Sequence, residues 1–328
     1  MLLDGEMGNL DNLLIWDGHA GVYPHVDTDL SGLSYWREAD VSFVSLNVYY
    51  DVMPAEDIFP VIHAYRRFIK NNHDKYLLVD KASDVEKARK SGMLAISFDL
   101  EGLNVLQGDP ARLEELHGLG VRQALFAYNL NNGAAGGCHD DDTGLSDLGR
   151  QSLSTMNRIG MMVDASHCGF KSSLELAEYS SKPIVFSHSN PKSVWDHERN
   201  ITDEQMKACA ATGGVVGACG IGIFLGENDS SSEALVRSVV RIADTIGTEH
   251  TGISMDYFFP DVDLSSTLAG RPDYWPAGQQ YDTKGITASQ PSQFEEVISL
   301  MRKAGFHTSE IRAIVGGNFL RVAGEVWG

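Results

Sequence analysis

The chain has 328 residues, of which 43% are hydrophobic and 22% charged, so it is long and apolar enough to bury a large core. Its formal net charge of −19 argues against nucleic acid and anionic membranes as partners, because both bind basic patches. No apolar run approaches the roughly 20 residues of a membrane helix, the N-terminus is acidic where a signal peptide is basic, and the four cysteines show no CxxC spacing. We therefore expect a soluble, cytoplasmic protein without a disulfide framework.

Apolar segments that predict β-strands alternate along the chain with segments that predict helices. The segment 41–49 is rich in β-branched and aromatic residues, which favour strands. The segment 57–71 has apolar residues at helical spacing, and Ser83 is a candidate N-cap for a helix over 84–91. The predicted strands are 13–16, 41–49, 94–100, 121–128, 161–163, 184–186, 214–218 and 251–255, and the other predicted helices are 110–117, 145–159, 171–179, one beginning at Thr202 or Asp203, 231–246, 294–304 and 308–315.

Eight strands in alternation with helices predict an α/β fold, a (β/α)8 TIM barrel that forms a single domain over residues 1–328. A long irregular excursion is expected at about 258–291, followed by closing C-terminal helices. In such a barrel the parallel strands have their carboxyl ends at one face, and the active site lies there.

Polar side chains follow the predicted strands at the points where they end. Two short apolar runs lead into the pairs Ser166-His167 and Ser187-His188, with a helical segment between them. A right-handed crossover places the ends of two such parallel strands side by side, so the two histidines can share one metal ion. The polar residues at the strand ends are Asp17, His19, Glu101, Tyr128, Asn129, His167, His188 and Asp256.

Histidine and glutamate side chains are suitable ligands for zinc or a similar divalent ion, which activates bound water and polarises a carbonyl group. Asp256 could take the proton of the attacking water, and Arg199 could hold a substrate carboxylate in a bidentate fork. Each residue alone also has a structural interpretation, as a hydrogen-bonded histidine, a helix cap or a surface ion pair. Their joint occurrence at strand ends favours metal chemistry.

Three segments resemble the membrane dipeptidases, a family of renal dipeptidase-like zinc peptidases. The most specific is 144–200, where GLSDLGRQSLSTMNRIGMMVDASH is followed by PIVFSHSN and then RN, with matching order and spacing. FDLEG at 98–102 is similar to the family's segment with the metal-bridging glutamate, and GGNFLRV at 316–322 is similar to its C-terminal helix.

This resemblance implies a (β/α)8 barrel with two zinc ions bridged by Glu101, one of them also held by His167 and His188. It implies that Asp256 is the acid/base and that Arg199 binds the terminal carboxylate of the substrate. It further implies a homodimer that hydrolyses dipeptides, with tolerance for a D-residue at the second position.

The first strand departs from the family pattern. The family motif is DGHND, in which the histidine and the final aspartate bind metal, whereas this chain has DGHAG at 17–21. His19 therefore remains a candidate ligand, but Gly21 replaces a carboxylate. We expect one zinc ion at the Glu101, His167 and His188 side and a weakened second site.

The end of the fourth strand also departs from the family, which usually has a substrate-contacting histidine there. This chain has Tyr128, followed by Asn129, and we expect both to contact the substrate. A tyrosine can donate a hydrogen bond to a carbonyl oxygen, but its neutral phenol lacks the charge of an imidazolium.

The leading hypothesis is a metal-dependent hydrolase of the dipeptidase type that acts on a dipeptide or another small molecule. A second hypothesis keeps the metal but changes the substrate to a non-peptide amide or a lactone, because Gly21 and Tyr128 depart from the family. A third is a degenerate, non-catalytic barrel, which the retained Asp256 and histidines disfavour.

Overall fold

The computed structural model describes residues 13–259, 268 and 270–328. Eight parallel strands of this part of the chain form a nearly closed barrel in the order β1-β2-β4-β5-β6-β7-β8-β9, and β3 pairs only with β4. The predicted (β/α)8 barrel is confirmed. The strands are β1 (Trp16–Ala20), β2 (Phe43–Tyr50), β3 (Tyr76–Leu78), β4 (Leu94–Glu101), β5 (Val121–Leu125), β6 (Met162–Asp164), β7 (Ile184–Phe186), β8 (Val215–Cys219) and β9 (Thr251–Ser254).

Helices cover the outside of the barrel, and several begin where a side chain caps the first turn. Ser146, Thr202 and Ser231 each accept a hydrogen bond from a backbone N–H of the helix that follows. The α-helices are α1 (Ser34–Glu38), α2 (Ile58–Asn71), α3 (Ser83–Lys90), α4 (Arg112–Gly118), α5 (Asp147–Ile159), α6 (Phe170–Tyr179), α7 (Asp203–Ala211), α8 (Gly222–Leu225), α9 (Ser232–Ile246), α10 (Phe294–Lys303), α11 (Thr308–Arg312) and α12 (Asn318–Trp327). Within the described residues, no helix has both the length and the apolar character that crossing a membrane requires.

Two local predictions were wrong. The cap of α3 is Ala82, which makes no side-chain hydrogen bond, and Ser83 is the first residue of the helix. The first strand begins later than predicted and contains His19. Its polar residues can lie inside a buried strand because Asp17 accepts hydrogen bonds from the Trp36 indole and from the backbone of Met255.

The C-terminal helix α12 closes the amino ends of the strands. Its residue Phe319 packs in a buried cluster with Trp16 and Phe43, which lie at the starts of β1 and β2. A Cβ atom at Gly18 or Gly217 would lie 3.2 or 3.1 Å from the Phe319 ring, so these glycines make room for it. Because the amino ends of the strands are covered by α12, a site can open only at their carboxyl ends.

The excursion predicted at 258–291 falls partly on residues 260–267 and 269, which lie outside the described residues. Its described part contains the buried side chains Tyr274, Trp275 and Tyr281, which pack against Phe224 and Tyr50 above the strand ends. The excursion therefore forms part of the wall over the carboxyl face. The assignment of the whole chain to one domain stays a prediction.

Candidate active site

Three histidine side chains converge on one carboxylate oxygen at the carboxyl ends of the strands. The oxygen is Oε1 of Glu101, the last residue of β4. The Nε2 atoms of His167, His19 and His188 lie 3.3, 3.6 and 3.6 Å from it. The Nε2 atoms of His167 and His188 are 3.1 Å apart, and all four side chains are buried. The structure thus brings the four predicted metal ligands together.

The orientation of His167 follows from a chain of hydrogen bonds. The amide NH₂ of Asn129 donates to the carbonyl oxygen of Tyr274 at 2.9 Å, which directs its Oδ1 to Nδ1 of His167 at 2.6 Å. Because an amide oxygen only accepts, Nδ1 of His167 must carry the proton. Its Nε2 therefore faces Glu101 with a lone pair.

The other two imidazoles are held in the same way, through Nδ1. Nδ1 of His19 lies 3.2 Å from Oδ2 of Asp99, and Nδ1 of His188 lies 2.7 Å from Oγ of Ser187. Contacts of this kind fix the ring orientation of metal-binding histidines and the nitrogen that faces the metal. All three rings therefore present Nε2 to the centre.

The electrostatics of the centre favour a bound cation. Burial raises the pKa of Glu101 to about 8, although the neighbouring His19 opposes this shift. Burial, followed by the charge of Arg199, lowers the pKa of His167 well below its ordinary value, so the imidazole is neutral. A buried carboxylate that faces the neutral imidazoles of His167 and His188 is costly to ionise unless a positive charge compensates it.

The spacing of the donor atoms fits a divalent metal ion. In a tetrahedral site with bonds of about 2.0–2.2 Å, neighbouring donors lie about 3.3–3.6 Å apart. The distances among Glu101, His167 and His188 are 3.1–3.6 Å, close to that range. The donor atoms of His19, Glu101 and His188 likewise all lie within 4.8 Å of one another. The nitrogen and oxygen donors are of the type that zinc and similar ions accept.

Asp256 follows β9 and lies on the His19 side of the centre. Its Oδ1 is 3.6 Å from Nε2 of His19, and its Oδ2 accepts a hydrogen bond from the Cys219 thiol at 3.4 Å. Burial raises the pKa of Asp256, while His19 and Arg199 oppose the shift. A carboxylate with a raised pKa beside a metal centre is suited to proton transfer.

A cavity opens above these residues, and its wall is mostly apolar and aromatic. The Tyr128 ring stacks on His167 with 4.4 Å between ring centroids, and burial raises the pKa of its phenol well above the ordinary value. The phenol therefore stays protonated and can donate a hydrogen bond. The described lining consists of Gly21, Val22, Tyr23, Pro24, Asn47, Tyr50, Glu101, Tyr128, Asn129, His167, Ile221, Ile223, Phe224, Asp256, Phe258, Leu268, Trp275, Tyr281 and Ile286.

Comparison with known proteins identifies the family. The sequence profile of the membrane dipeptidases (peptidase family M19) matches residues 43–327, which is most of the chain. The chain belongs to this family. It is 30% identical over 293 residues to Dipeptidase verJ of Clonostachys rogersoniana, covering 88% of this chain and 69% of that protein. It is 28% identical over 275 residues to Dipeptidase tcpJ of Claviceps purpurea, covering 82% of this chain and 60% of that protein. The aligned region thus spans about 60–69% of these two relatives.

A solved structure has a similar fold. An amidohydrolase from Pseudomonas aeruginosa matches with a TM-score of 0.88 and 25% sequence identity, covering 96% of this chain and 97% of that one. The barrel and its C-terminal helices therefore follow a known arrangement over nearly the whole chain.

In this member of the family, Arg199 is not part of the described cavity lining. The residue is buried, and its two terminal nitrogens donate to Oγ of Ser189 and to the carbonyl oxygen of His188. The Phe224 ring lies 5.7 Å from the guanidinium carbon and lines the cavity itself. The predicted contact of Arg199 with a substrate carboxylate stays a prediction.

Asn129 also has a role that its sequence position did not indicate. Both ends of its side-chain amide are used by the protein, one for Tyr274 and one for His167. Its predicted contact with substrate stays a prediction, whereas its contact with His167 is part of the structure. Asn129, His167 and Asp256 have φ values of 59°, 63° and 49°, in the left-handed region that residues other than glycine rarely adopt.

Sequence reasoning missed Asp99 and Asn47, which hold His19 and Glu101 through side-chain contacts. The position of Asp99, two residues before Glu101 in the same strand, did indicate its role. Residues i and i+2 of a strand share a face, so Asp99 had to face the barrel interior together with Glu101. No sequence pattern indicates Asn47, because it lies on β2 and reaches Glu101 only through strand pairing.

Proposed function

We propose that the chain is a zinc-dependent dipeptidase-like hydrolase that cleaves the amide bond of a small dipeptide, including dipeptides with a D-residue at the second position. The observation that carries the proposal is the convergence of the His19, His167 and His188 nitrogens on one oxygen of Glu101. Family membership supports the same chemistry.

The metal would be held by Glu101, His167 and His188, with His19 next to the same Glu101 oxygen. When bound, a divalent ion lowers the pKa of a coordinated water towards about 7 and polarises the scissile carbonyl. The Asn129 and Ser187 side chains keep two of the imidazoles in place for this task.

Asp256 would move the proton that the reaction requires. It accepts the proton of the attacking water as the new C–O bond forms, and it delivers that proton to the amide nitrogen as the C–N bond breaks. The Tyr128 hydroxyl would donate a hydrogen bond to the oxygen that becomes negatively charged. Trp275 and Tyr281 lie on the cavity wall and would limit the access of water.

The test is metal-dependent hydrolysis. Protein purified without chelator is assayed for amine release from a panel that includes L-Ala-L-Ala, L-Ala-D-Ala and their C-terminal amides. We expect activity that disappears after chelation and returns with zinc, and that is lost in His167→Ala but retained in His63→Ala, which changes an exposed histidine. If no compound is hydrolysed, or if chelation changes nothing, the proposal is wrong.

A second candidate is hydrolysis of a neutral amide or a lactone, and the composition of the cavity wall favours it. None of the described lining residues is Lys or Arg, and residues 1–12, 260–267 and 269 contain neither. The two terminal nitrogens of Arg199 donate to Ser189 and His188, and within the described part of the chain only its buried Nε lacks a partner. Faster hydrolysis of C-terminal amides than of free acids supports this candidate. Loss of activity in Arg199→Ala for carboxylate-bearing substrates alone supports the dipeptidase.

The remaining proposals rest on the resemblance and on composition. We propose a homodimer, which light scattering of the purified protein tests, and a cytoplasmic location, which cell fractionation tests. A non-catalytic barrel is the alternative if His167→Ala leaves both metal content and every measured activity unchanged.

A further inference from the structure

Gly21, just beyond β1, leaves a gap that another carboxylate fills. A Cβ atom at this position would lie 2.7 Å from Oδ1 of Asp256, and the other atoms near it also belong to Asp256. The φ angle of Gly21 is not in the left-handed region, so its backbone does not require glycine. The carboxylate of Asp256 thus occupies the space into which a side chain at position 21 would extend.

The position of Asp256 is fixed from several directions. Its backbone N–H donates to the carbonyl oxygen of His19 at 3.2 Å, which ties the end of β9 to β1. Its Oδ2 is held by the Cys219 thiol, which leaves Oδ1 directed at His19. Burial and the charge of Asp256 raise the pKa of that thiol well above its ordinary value, so the thiol keeps its proton and acts as the donor.

The distances on this side of the centre match those on the other side. Nε2 of His19 lies 3.6 Å from Oδ1 of Asp256 and 3.6 Å from Oε1 of Glu101. Both values are close to the spacing of about 3.3–3.6 Å between neighbouring ligands of one ion. Nε2 of His19 therefore lies at ligand spacing from one oxygen of each of two carboxylates.

We infer that Asp256 supplies, from the end of β9, the metal ligand that is missing at Gly21, and that a second divalent ion binds between His19, Glu101 and Asp256. We call these three residues the His19 half of the centre, and Glu101, His167 and His188 the His167 half. The inference rests on the proposed metal-dependent function and deepens it. Asp256 would then have two roles. Its Oδ1 would bind the ion, and its Oδ2 would transfer the proton once it is released from the hydrogen bond with the Cys219 thiol.

The test measures metal binding rather than activity. Chelator-stripped protein is titrated with Zn²⁺ in competition with a chromophoric chelator, and the metal content is counted by mass spectrometry. We expect two equivalents for the unaltered chain. Asp256→Ala should weaken one of them at least about tenfold, because even the loss of an outer contact costs about 10–100-fold. Asp282→Ala removes one exposed carboxylate of the excursion and should change neither affinity.

A double variant tests whether the second ion needs a carboxylate beside His19 rather than only a negative charge in the protein. In Gly21→Asp with Asp256→Ala, the side chain that a new Cβ would meet is gone, so a carboxylate at position 21 can reach His19. We expect this variant to recover the ion that Asp256→Ala loses. Circular dichroism and thermal melting of the metal-free proteins show that each variant is folded, which keeps the comparison valid.

The inference is overturned if Asp256→Ala binds as many ions, as tightly, as the unaltered chain, or if the double variant fails to regain the lost ion. These outcomes differ from a failure of the proposed function. If the chain binds both ions but hydrolyses no substrate, only the proposed function is contradicted. If the chain is active and Asp256→Ala does not change its metal content, only the inference is contradicted.

Discussion

The two halves of the metal centre are built in different ways. In the His167 half, the two histidines follow β6 and β7, which are adjacent in both sequence and space. In the His19 half, the ligands come from β1, β4 and the end of β9, and they meet only because the barrel closes between β9 and β1. The two histidines of the first half therefore follow from a local motif, whereas the second half depends on the whole fold.

The two halves should differ in how well they tolerate the loss of a ligand. In the His167 half, each histidine comes from the segment after a different strand. In the His19 half, the loss of a side chain at Gly21 leaves space beside Asp256 on the neighbouring strand. The comparison predicts that the two halves respond differently to substitution.

The largest effect is expected for Glu101→Ala, because Glu101 belongs to both halves. Loss of its carboxylate should abolish the binding of both ions and lower kcat/KM by about a thousandfold or more, which corresponds to roughly 4 kcal/mol. Metal analysis and the hydrolysis assay measure the two effects. Glu115→Ala, on the exposed face of α4, is the matched control. A variant at Glu101 that keeps its metal would show that the centre lies elsewhere.

A smaller and asymmetric effect is expected for the histidines. His167→Ala should remove the ion of the His167 half, while His19→Ala should leave that ion bound and lose the other, because each histidine is a ligand of one inferred site only. Titration with Zn²⁺ distinguishes the two losses by their affinities. Equal loss of both ions in both variants would mean that the centre cannot be divided into halves.

Asn129→Ala tests the contact that orients His167. Its amide accepts from Nδ1 of His167, so its loss frees the ring to rotate and should weaken the ion of the His167 half about 10–100-fold. Asn131→Ala is a control in the same loop, since Asn131 contacts backbone and Asp140 rather than a histidine. An unchanged affinity in Asn129→Ala would show that the stacked Tyr128 ring is sufficient to hold His167.

The pH dependence of metal binding should also differ between the halves. Without metal, the pKa of Glu101 is raised to about 8, so below that pH a proton must leave before an ion binds. The affinity of the His167 half should rise about tenfold per pH unit and level off above pH 8. Burial lowers the pKa of His19, but Asp99, Glu101 and Asp256 outweigh it and raise the pKa well above its ordinary value. The His19 half must lose a proton from His19 as well as from Glu101, so its affinity should rise more steeply with pH, which titrations between pH 6 and pH 9 can measure.

Much of the barrel and the His167 half could be predicted from the sequence. The apolar runs before His167 and His188 are short and continuous, as expected for strands buried on both faces. Their spacing, with one helix between them, determines that the two imidazoles are neighbours. Glu101 and Asp256 were found for the same reason, because each ends or follows a clear apolar strand.

The contacts that cross the barrel could not be predicted. The burial of Arg199 depends on Phe224 and on the Ser189 hydroxyl, which come from other segments. Asparagine adopts the left-handed region more often than most residues, but the sequence does not show which asparagine of YNLNN does so. The sequence also reveals the absence of a side chain at Gly21 but not the carboxylate that fills its place.

The most direct test of the metal centre is a crystal structure of the zinc-loaded protein with anomalous diffraction recorded at the zinc absorption edge. We expect one peak about 2.0–2.2 Å from Glu101, His167 and His188, and a second peak between His19, Glu101 and Asp256. A single peak in the His167 half would contradict the role inferred for Asp256. The absence of any peak at the strand ends would contradict the metal centre itself.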